Sequence, residues 1–294
     1  MTRVDQPWDL GGQVGLVTGA GQGIGREVAR LLSGHGAVVA VNDYYAERAE
    51  AVVAEISAEG GRALAVPGDV TSYPDVAAMV KRVGAELGGL SILVNNAGNL
   101  GAHPDPTLMT TPFWELEPGA WAPVVAVNFD GVLHCCHAAV PAMIERARGS
   151  GGAAAEGEAP TGGRIVTVIS DAGRVGEPNL EPYSGAKAGA AGFMRGLAKS
   201  VARYGITANC VSAGATRTPM IETALAAGGE AYEKAMLRGY PLRRLGEPAD
   251  VAAAVLFLCS PAASWITGEV LYVAGGQQIY GRNQALFDDM LRNG

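Results

Sequence analysis

Charge, aromatic rings and cysteine are all scarce in this chain. Of its 294 residues, 17% are charged and 6% aromatic, and four are cysteine. Low charge with 48% hydrophobic residues excludes a disordered chain, which needs the opposite balance. Basic residues are in the minority, 22 Lys+Arg against 29 Asp+Glu for a net charge of −7, which argues against nucleic acid as the main partner. Cys135, Cys136, Cys210 and Cys259 include no C-x-x-C pair, so free thiols in a reducing compartment are expected. No long apolar run is present: the longest, Val251 to Cys259, is about half of what spans a bilayer. The first seven residues, Met1 to Pro7, offer no apolar stretch for a signal peptide. A soluble, cytoplasmic protein is the expectation.

Short apolar runs alternate with helical patterns from near the start. Strands are expected over 14–18, 37–42, 63–66, 90–94, 164–170, 206–211 and 270–273. Helices are expected over 23–33, 47–58, 74–87, 117–146, 182–203 and 248–259, with Pro74 placed to start its helix. Brief, continuous apolar strands suit a parallel sheet covered on both faces, and the alternation predicts a doubly wound α/β fold. No shift in composition marks a boundary, so residues 1–294 read as one domain. Two segments break the rhythm. Gly149 to Gly163 is Gly/Ala-rich without periodicity and reads as a flexible surface insertion. Residues 214–246 hold a helical stretch, 222–237, and read as a substrate loop or lid, with an ordinary connection as the alternative.

Thr18-Gly19-Ala20-Gly21-Gln22-Gly23-Ile24-Gly25 joins the first strand to the first helix. Glycines there let backbone N–H groups approach a pyrophosphate at a helix N-terminus. Ile24 stands where G-x-G-x-x-G would need a small residue, so the spacing is T-G-x-x-x-G-x-G. Asp43 ends the second strand 18 residues after Gly25, near the separation at which a carboxylate meets the adenosine ribose. A 2′-phosphate would be repelled there, so NAD is the expected cofactor. Tyr183 and Lys187, four apart, share a helix face. Ser170 ends the fifth strand thirteen residues before Tyr183, and Asn95-Asn96-Ala97-Gly98 ends the fourth at the same carboxyl edge, where open α/β sheets bind ligands. Asn128 falls mid-helix, where asparagine is an indifferent helix former.

With these residues in order, the chain resembles the short-chain dehydrogenase/reductase family over residues 10 to 277. The Thr18–Gly25 loop, Asp69 before Val70, Asn95 to Gly98, Asn128, Ser170, Tyr183, Lys187 and the Asn209–Gly214–Thr218 stretch carry the resemblance. It implies a seven-stranded parallel sheet in the order 3-2-1-4-5-6-7. It implies that Tyr183 is the general acid/base, its phenol lowered from about 10 by Lys187 and oxidised nicotinamide. Ser170 would orient the substrate oxygen, Lys187 would hold the nicotinamide ribose, and Asn128 would place a relay water. Cofactor contacts carry over to Gly19, Gln22, Gly23, Ile24, Gly25, Asp43, Asp69, Val70, Asn96, Ala97, Gly98, Tyr183, Lys187, Gly214 and Thr218. The resemblance also implies a homo-oligomer, most simply a tetramer, with the helices around 117–146 and 182–203 on subunit faces. The tail 283–294 carries an apolar face of Leu286, Phe287 and Leu291 that is expected to dock on a neighbour.

The sequence departs from the family's usual pattern at Ala213, where proline is common before Gly214. It departs also at Asp171, where small or hydroxyl residues are usual, at Ala274 and in the long 149–163 insertion. The pocket is expected from 99–116, 171–180 and 213–240, including Leu100, Trp114, Leu180 and Met220. Asp171, Glu177 and Glu181 offer a phosphate or carboxylate no anchor. The expected reaction is hydride exchange between NAD(H) and a secondary alcohol or ketone on a lipid-, steroid- or terpenoid-like skeleton. A 3-hydroxyacyl or 3-oxoacyl thioester is the alternative. A non-catalytic dinucleotide sensor and a sugar epimerase or dehydratase are the rivals of other kinds. The sensor should lack part of the Ser/Tyr/Lys set, and the epimerase pattern wants a different glycine count. His134-Cys135-Cys136-His137 resembles a metal cluster, but helix neighbours diverge by about 100°, so no metal is expected. Trp114 and Trp121 read as packing residues and Arg243-Arg244 as a solvated turn.

Overall fold

The computed structural model describes residues 7–98, 100, 107, 108, 110–149 and 162–277. Most of the 149–163 insertion and the whole 283–294 tail therefore lie outside the described residues. Seven parallel strands form one sheet in the order β3-β2-β1-β4-β5-β6-β7. They are β1 (Val14–Val17), β2 (Val38–Val41), β3 (Ala63–Ala65), β4 (Ile92–Asn95), β5 (Gly163–Ser170), β6 (Ile206–Ala213) and β7 (Val270–Val273). This is the doubly wound, Rossmann-type arrangement expected from the alternation of strand and helix. The order reverses between β1 and β4, so a crevice opens above their carboxyl ends.

Successive strand residues point to opposite faces, and each face builds its own core. Leu16, Leu93, Ile165 and Ala208 pack against helices α3 (Tyr73–Leu87), α5 (Gly131–Gly149) and α7 (Glu181–Val201). Val17, Val94, Val166 and Val211 pack against α1 (Gly23–Gly34), α2 (Ala46–Ala58) and α9 (Pro248–Cys259). All eight strand residues are essentially inaccessible to solvent. Burying an aliphatic side chain of this kind stabilises by about 1.5–3 kcal/mol, so the two faces lock the strand register. Ser72 caps α3 by accepting from the Asp75 N–H, and Gly88 ends it in the left-handed region at φ 81°.

Three elements differ from expectation. The helix expected over 117–146 is broken into α4 (Pro118–Val125), a π turn (Ala126–Asp130) and α5. Pro123 has no N–H to continue the α ladder, and the Asn128 amide donates to the Val124 carbonyl at 2.8 Å. Residues 118–148 have the length and composition of a membrane span. Yet Val132, Cys135, Cys136, Ala139 and Met143 on this segment lie in the core, which accounts for its apolarity. A short helix, α6 (Ala172–Val175), follows β5 where no helix was expected. The stretch expected over 222–237 is longer, as α8 (Pro219–Leu237), and is kinked at Gly229 (φ 66°, ψ −171°). A small separate cluster of Leu225, Tyr240 and Leu245 holds α8 to the body.

Candidate active site

The glycine loop sits between β1 and α1, at the crevice. Gly19 and Gly23 take φ of 60° and 55°, which side chains rarely adopt. A Cβ on Gly25 would collide with the Gly19 carbonyl and the Asn96 amide. The α1 N-terminus carries no side-chain cap from Gln22 and no acidic residue in its first turn. Its orphan N–H groups, on Gly23, Ile24 and Gly25, face no competing anion from those sources. A bare, positively polarised helix end under a glycine-rich loop without a charged side chain fits a pyrophosphate.

The loop is fastened by residues outside it. Thr18 Oγ1 accepts from the Asn96 and Ala97 N–H groups at 3.0 and 3.1 Å. The Asn96 amide donates to the Thr18 and Gly19 carbonyls at 3.0 and 2.9 Å. Asn96, expected among the cofactor contacts, thus uses its amide nitrogen on the loop. Asn42 was not singled out from the sequence. It accepts weakly from the Gly19 N–H at 3.4 Å, and its amide donates to the Val66 and Gly68 carbonyls.

Asp43 is 6% exposed and lies against the loop. It accepts from the Gly21 N–H at 3.0 Å and the Tyr45 N–H at 3.1 Å. A Cβ on Gly21 would come within 2.6 Å of this carboxylate. Each oxygen keeps a further lone pair for a ribose hydroxyl. Arg26, the nearest cation in the loop helix, is paired with Glu55 at 2.8 Å. The Arg48 guanidinium lies over the Tyr45 ring, 4.3 Å from its centroid. Asp69 accepts from both the N–H and hydroxyl of Thr71 at 2.8 Å, and the adjacent Val70 is buried against Gly131.

The polar constellation gathers at the ends of β4 and β5. Ser170 hydrogen-bonds Tyr183 across the gap between β5 and α7. Its oxygen also accepts from the Ala172 N–H at 3.2 Å. Lys187 is buried, donates to the Val168 carbonyl at 3.0 Å, and lies 5.7 Å from the Tyr183 ring centroid. A Cβ on Gly98 would stand 2.7 Å from Asn128 Oδ1 and 3.0 Å from Lys187 Nζ, so only glycine lets these groups converge. Burial lowers the Lys187 ammonium to about 8. Burial also raises the Tyr183 phenol above its usual value, and the Ser170 hydrogen bond counteracts part of this. That direction is opposite to the lowering implied by the resemblance: in this chain alone, desolvation outweighs any neighbouring positive charge.

Gly214 and Thr218 close the far side. The Gly214 N–H donates to the Val273 carbonyl. A Cβ on Gly214 would crowd Tyr240, whose hydroxyl accepts from the Ala215 N–H at 2.7 Å. Tyr240, buried and also overlooked in the sequence, thereby supports the loop that follows β6. Gly23 and Thr218 are in near contact, which brings the start of α8 over the glycine loop.

His134 bonds the Val70 carbonyl and His137 the Tyr73 hydroxyl. Cys135 and Cys136 are buried, and among the described residues no three metal-ligating side chains converge. Trp114 does not pack: it is 79% exposed, as is part of Met220. Trp121 is half-buried beside Phe113. Arg244 is not merely solvated: it makes two bonds to Asp250, at 2.6 and 2.9 Å.

A parallel sheet with a bare helix end at its switch point and a Ser–Tyr–Lys group at the same edge defines a dinucleotide-dependent oxidoreductase. The comparisons agree. The family model described as enoyl-(acyl carrier protein) reductase matches residues 19–278. The 7alpha-hydroxysteroid dehydrogenase of Escherichia coli K12 is 34% identical over 267 residues, covering 91% of this chain and 94% of the relative. The cis-4-hydroxycyclohexanecarboxylate dehydrogenase of Sinomonas cyclohexanicum is 40% identical over 265 residues, covering 90% and 96%. A solved 7 alpha-hydroxysteroid dehydrogenase, complexed with NADH and 7-oxo glycochenodeoxycholic acid, superposes with a TM-score of 0.80 at 33% identity, covering 94% of this chain and 98% of that one. The chain belongs to the short-chain dehydrogenase/reductase family. It is an oxidoreductase of secondary alcohols and ketones, acting on CH–OH groups.

Proposed function

We propose that the protein is an NAD-dependent dehydrogenase of ring-borne secondary alcohols. The observation that carries this reading is the Ser170–Tyr183 hydroxyl pair beside buried Lys187, at the sheet edge that also holds the glycine loop. Nicotinamide supplies the acceptor or donor of hydride when bound. Ser170 holds the substrate oxygen through its hydroxyl. Tyr183 exchanges the proton at that oxygen through its phenolic oxygen. Lys187 Nζ, with its ammonium lowered to about 8, is a cation next to Tyr183 and a donor for the nicotinamide ribose. Asn128 Oδ1, beside Gly98 and Lys187, accepts from a water that carries the proton onward. Gly19, Gln22, Gly23, Ile24 and Gly25 hold the pyrophosphate. Asp43 takes the adenosine ribose, Asp69 and Val70 the adenine side, Asn96 to Gly98 the strand-end backbone contacts, and Gly214 and Thr218 the carboxamide end.

Two observations support a ring-borne alcohol. Trp114, Val175 and Met220 expose apolar surface on the segments after β4, β5 and β6. The two named relatives act, by name, on a hydroxysteroid and a hydroxycyclohexanecarboxylate. The test is a panel of NAD-coupled oxidations with cyclic alcohols and 3-hydroxyacyl thioesters. Cyclic alcohols are expected to give kcat/KM at least about tenfold higher, a difference of about 1.4 kcal/mol in transition-state binding. A preference for thioesters would reassign the substrate.

The chain is further proposed to work as a homotetramer in the cytoplasm. An apolar groove of about 630 Å³, lined by Leu133, Val140 and Pro141 of α5 and Phe193 and Leu197 of α7, supports self-association. Four free, buried cysteines support a reducing compartment. Light scattering at micromolar concentration should give about four times the 30.1 kDa chain mass. A species of single-chain mass throughout would contradict the assembly.

A further inference from the structure

The residue after Ser170 is a buried carboxylate that none of the roles above uses. Asp171 is 3% exposed. Its N–H donates to the Ala213 carbonyl at 3.2 Å, and its Oδ1 accepts from the Ser212 hydroxyl at 2.7 Å. In the sheet register Ser170 stands opposite Ala213, so the carboxylate is wedged between the ends of β5 and β6. These ends carry Ser170 and the Gly214 loop. Its other oxygen, Oδ2, is buried with no hydrogen-bond partner among the described residues. The surrounding charges are few. Arg174, its guanidinium 5.0 Å from the Tyr272 ring centroid, attracts the carboxylate from the next helix turn, and Tyr240 feels its negative charge from the far side of the loop. Burial raises the Asp171 carboxyl above the usual range, which marks it as a charge short of compensation.

A buried carboxylate with an idle oxygen is costly unless positive charge stands close enough to be felt through the groups that cover it. Oxidised nicotinamide carries a positive charge and reduced nicotinamide does not. We propose that Asp171 sets the redox preference of the site, its carboxylate favouring the oxidised dinucleotide over the reduced one. The proposal rests on the reading above that Ser170 and Lys187 on one side, and Gly214 and Thr218 on the other, would hold the nicotinamide end of the dinucleotide. It assigns the enzyme a bias toward starting from NAD, and so toward alcohol oxidation. Ser212 is the positioning partner that holds the carboxylate at the strand ends.

The test compares dissociation constants for NAD and NADH, measured by calorimetry at about pH 8, well above the ordinary range of a carboxylate. The full-length chain is used with D171N, which keeps the shape and the Ser212 contact while removing the charge. D171S, which places a small hydroxyl residue there, is the second variant should D171N fold poorly. Loss of one unit charge from a partly desolvated site is expected to weaken NAD about tenfold and leave NADH within about twofold. S212A keeps the charge, and should leave the NAD/NADH ratio within about threefold of wild type. A merely structural role for Asp171 would weaken both dinucleotides together, and that outcome, or an unchanged ratio, overturns the proposal. If the wild-type protein binds neither dinucleotide, the cofactor reading itself fails, and the redox proposal falls with it.

Discussion

Tyr183→Phe is expected to lower kcat by about a thousandfold or more while NAD affinity changes by less than about threefold. Phenylalanine keeps the ring, so the half-buried wall of the site is preserved. The phenol is lost, and with it the group placed to exchange a proton at the substrate oxygen. Ser170 is not orphaned, because its hydroxyl still accepts from the Ala172 N–H. Lys187 keeps its bond to the Val168 carbonyl, so its contact with the ribose should survive. The phenol is raised by burial in the protein alone, so its proton-accepting form depends on positive charge brought by Lys187 and the bound dinucleotide. Steady-state kinetics together with NAD titration separate the two effects. A variant that keeps more than about a tenth of wild-type kcat would remove Tyr183 from proton transfer.

NAD is expected to be favoured over NADP by about a hundredfold in kcat/KM. The cause is the Asp43 carboxylate, buried beside Gly21. A 2′-phosphate placed there would meet a like charge, which costs several kcal/mol, and about 3 kcal/mol corresponds to a hundredfold. Neighbouring cations do little to reverse this. Arg26 is held by Glu55, and Arg48 stacks on Tyr45. Gln22 and Tyr44, the neighbours on the loop and after Asp43, carry no charge. Asp43→Ala should narrow the gap mainly by weakening NAD, because both carboxylate oxygens and the Gly21 bond are lost. Adding arginine at position 44 should improve NADP. The ratio of kcat/KM for the two cofactors with one common alcohol decides the matter. Equal values, or a preference for NADP, would show that Asp43 does not face the ribose.

The sheet was legible because its physics is local. Runs of four to eight apolar residues between turn signals are too short for most helices and suit strands covered on both sides, and seven such runs stand in the sequence. The glycine loop was legible because positive φ and backbone crowding leave few residue types at Gly19, Gly23 and Gly25. What escaped depends on partners and angles that only the fold selects. The π turn at Asn128 shows in the bond from its amide to the Val124 carbonyl, yet the surrounding residues alone read as one helix. Tyr240 could not be assigned from the sequence because its hydroxyl partner is 25 residues away, in the Ala215 backbone. Asn42 escaped for a related reason: it ties the loop to the segment after β3, as Thr18 of the glycine motif ties it to the segment after β4. Arg244 reads as a solvated charge until Asp250 turns back beneath it. Gly229 sits in an apparently continuous helical pattern, and only its backbone angles reveal the kink in α8. Trp114 reads both as a packing residue and as a pocket residue because large apolar side chains are usually buried, and its 79% exposure shows only in the fold.

The most direct test of the central claim is rapid mixing of the NAD-loaded protein with its best cyclic alcohol, following the absorbance of reduced nicotinamide and trapping the ketone. Wild type is expected to form reduced nicotinamide and ketone in equal amounts, and Tyr183→Phe to form neither at a measurable rate while binding NAD normally. Reduced nicotinamide formed as fast in the variant as in wild type, or none formed by a wild-type protein that binds NAD tightly across the whole panel, would contradict the account.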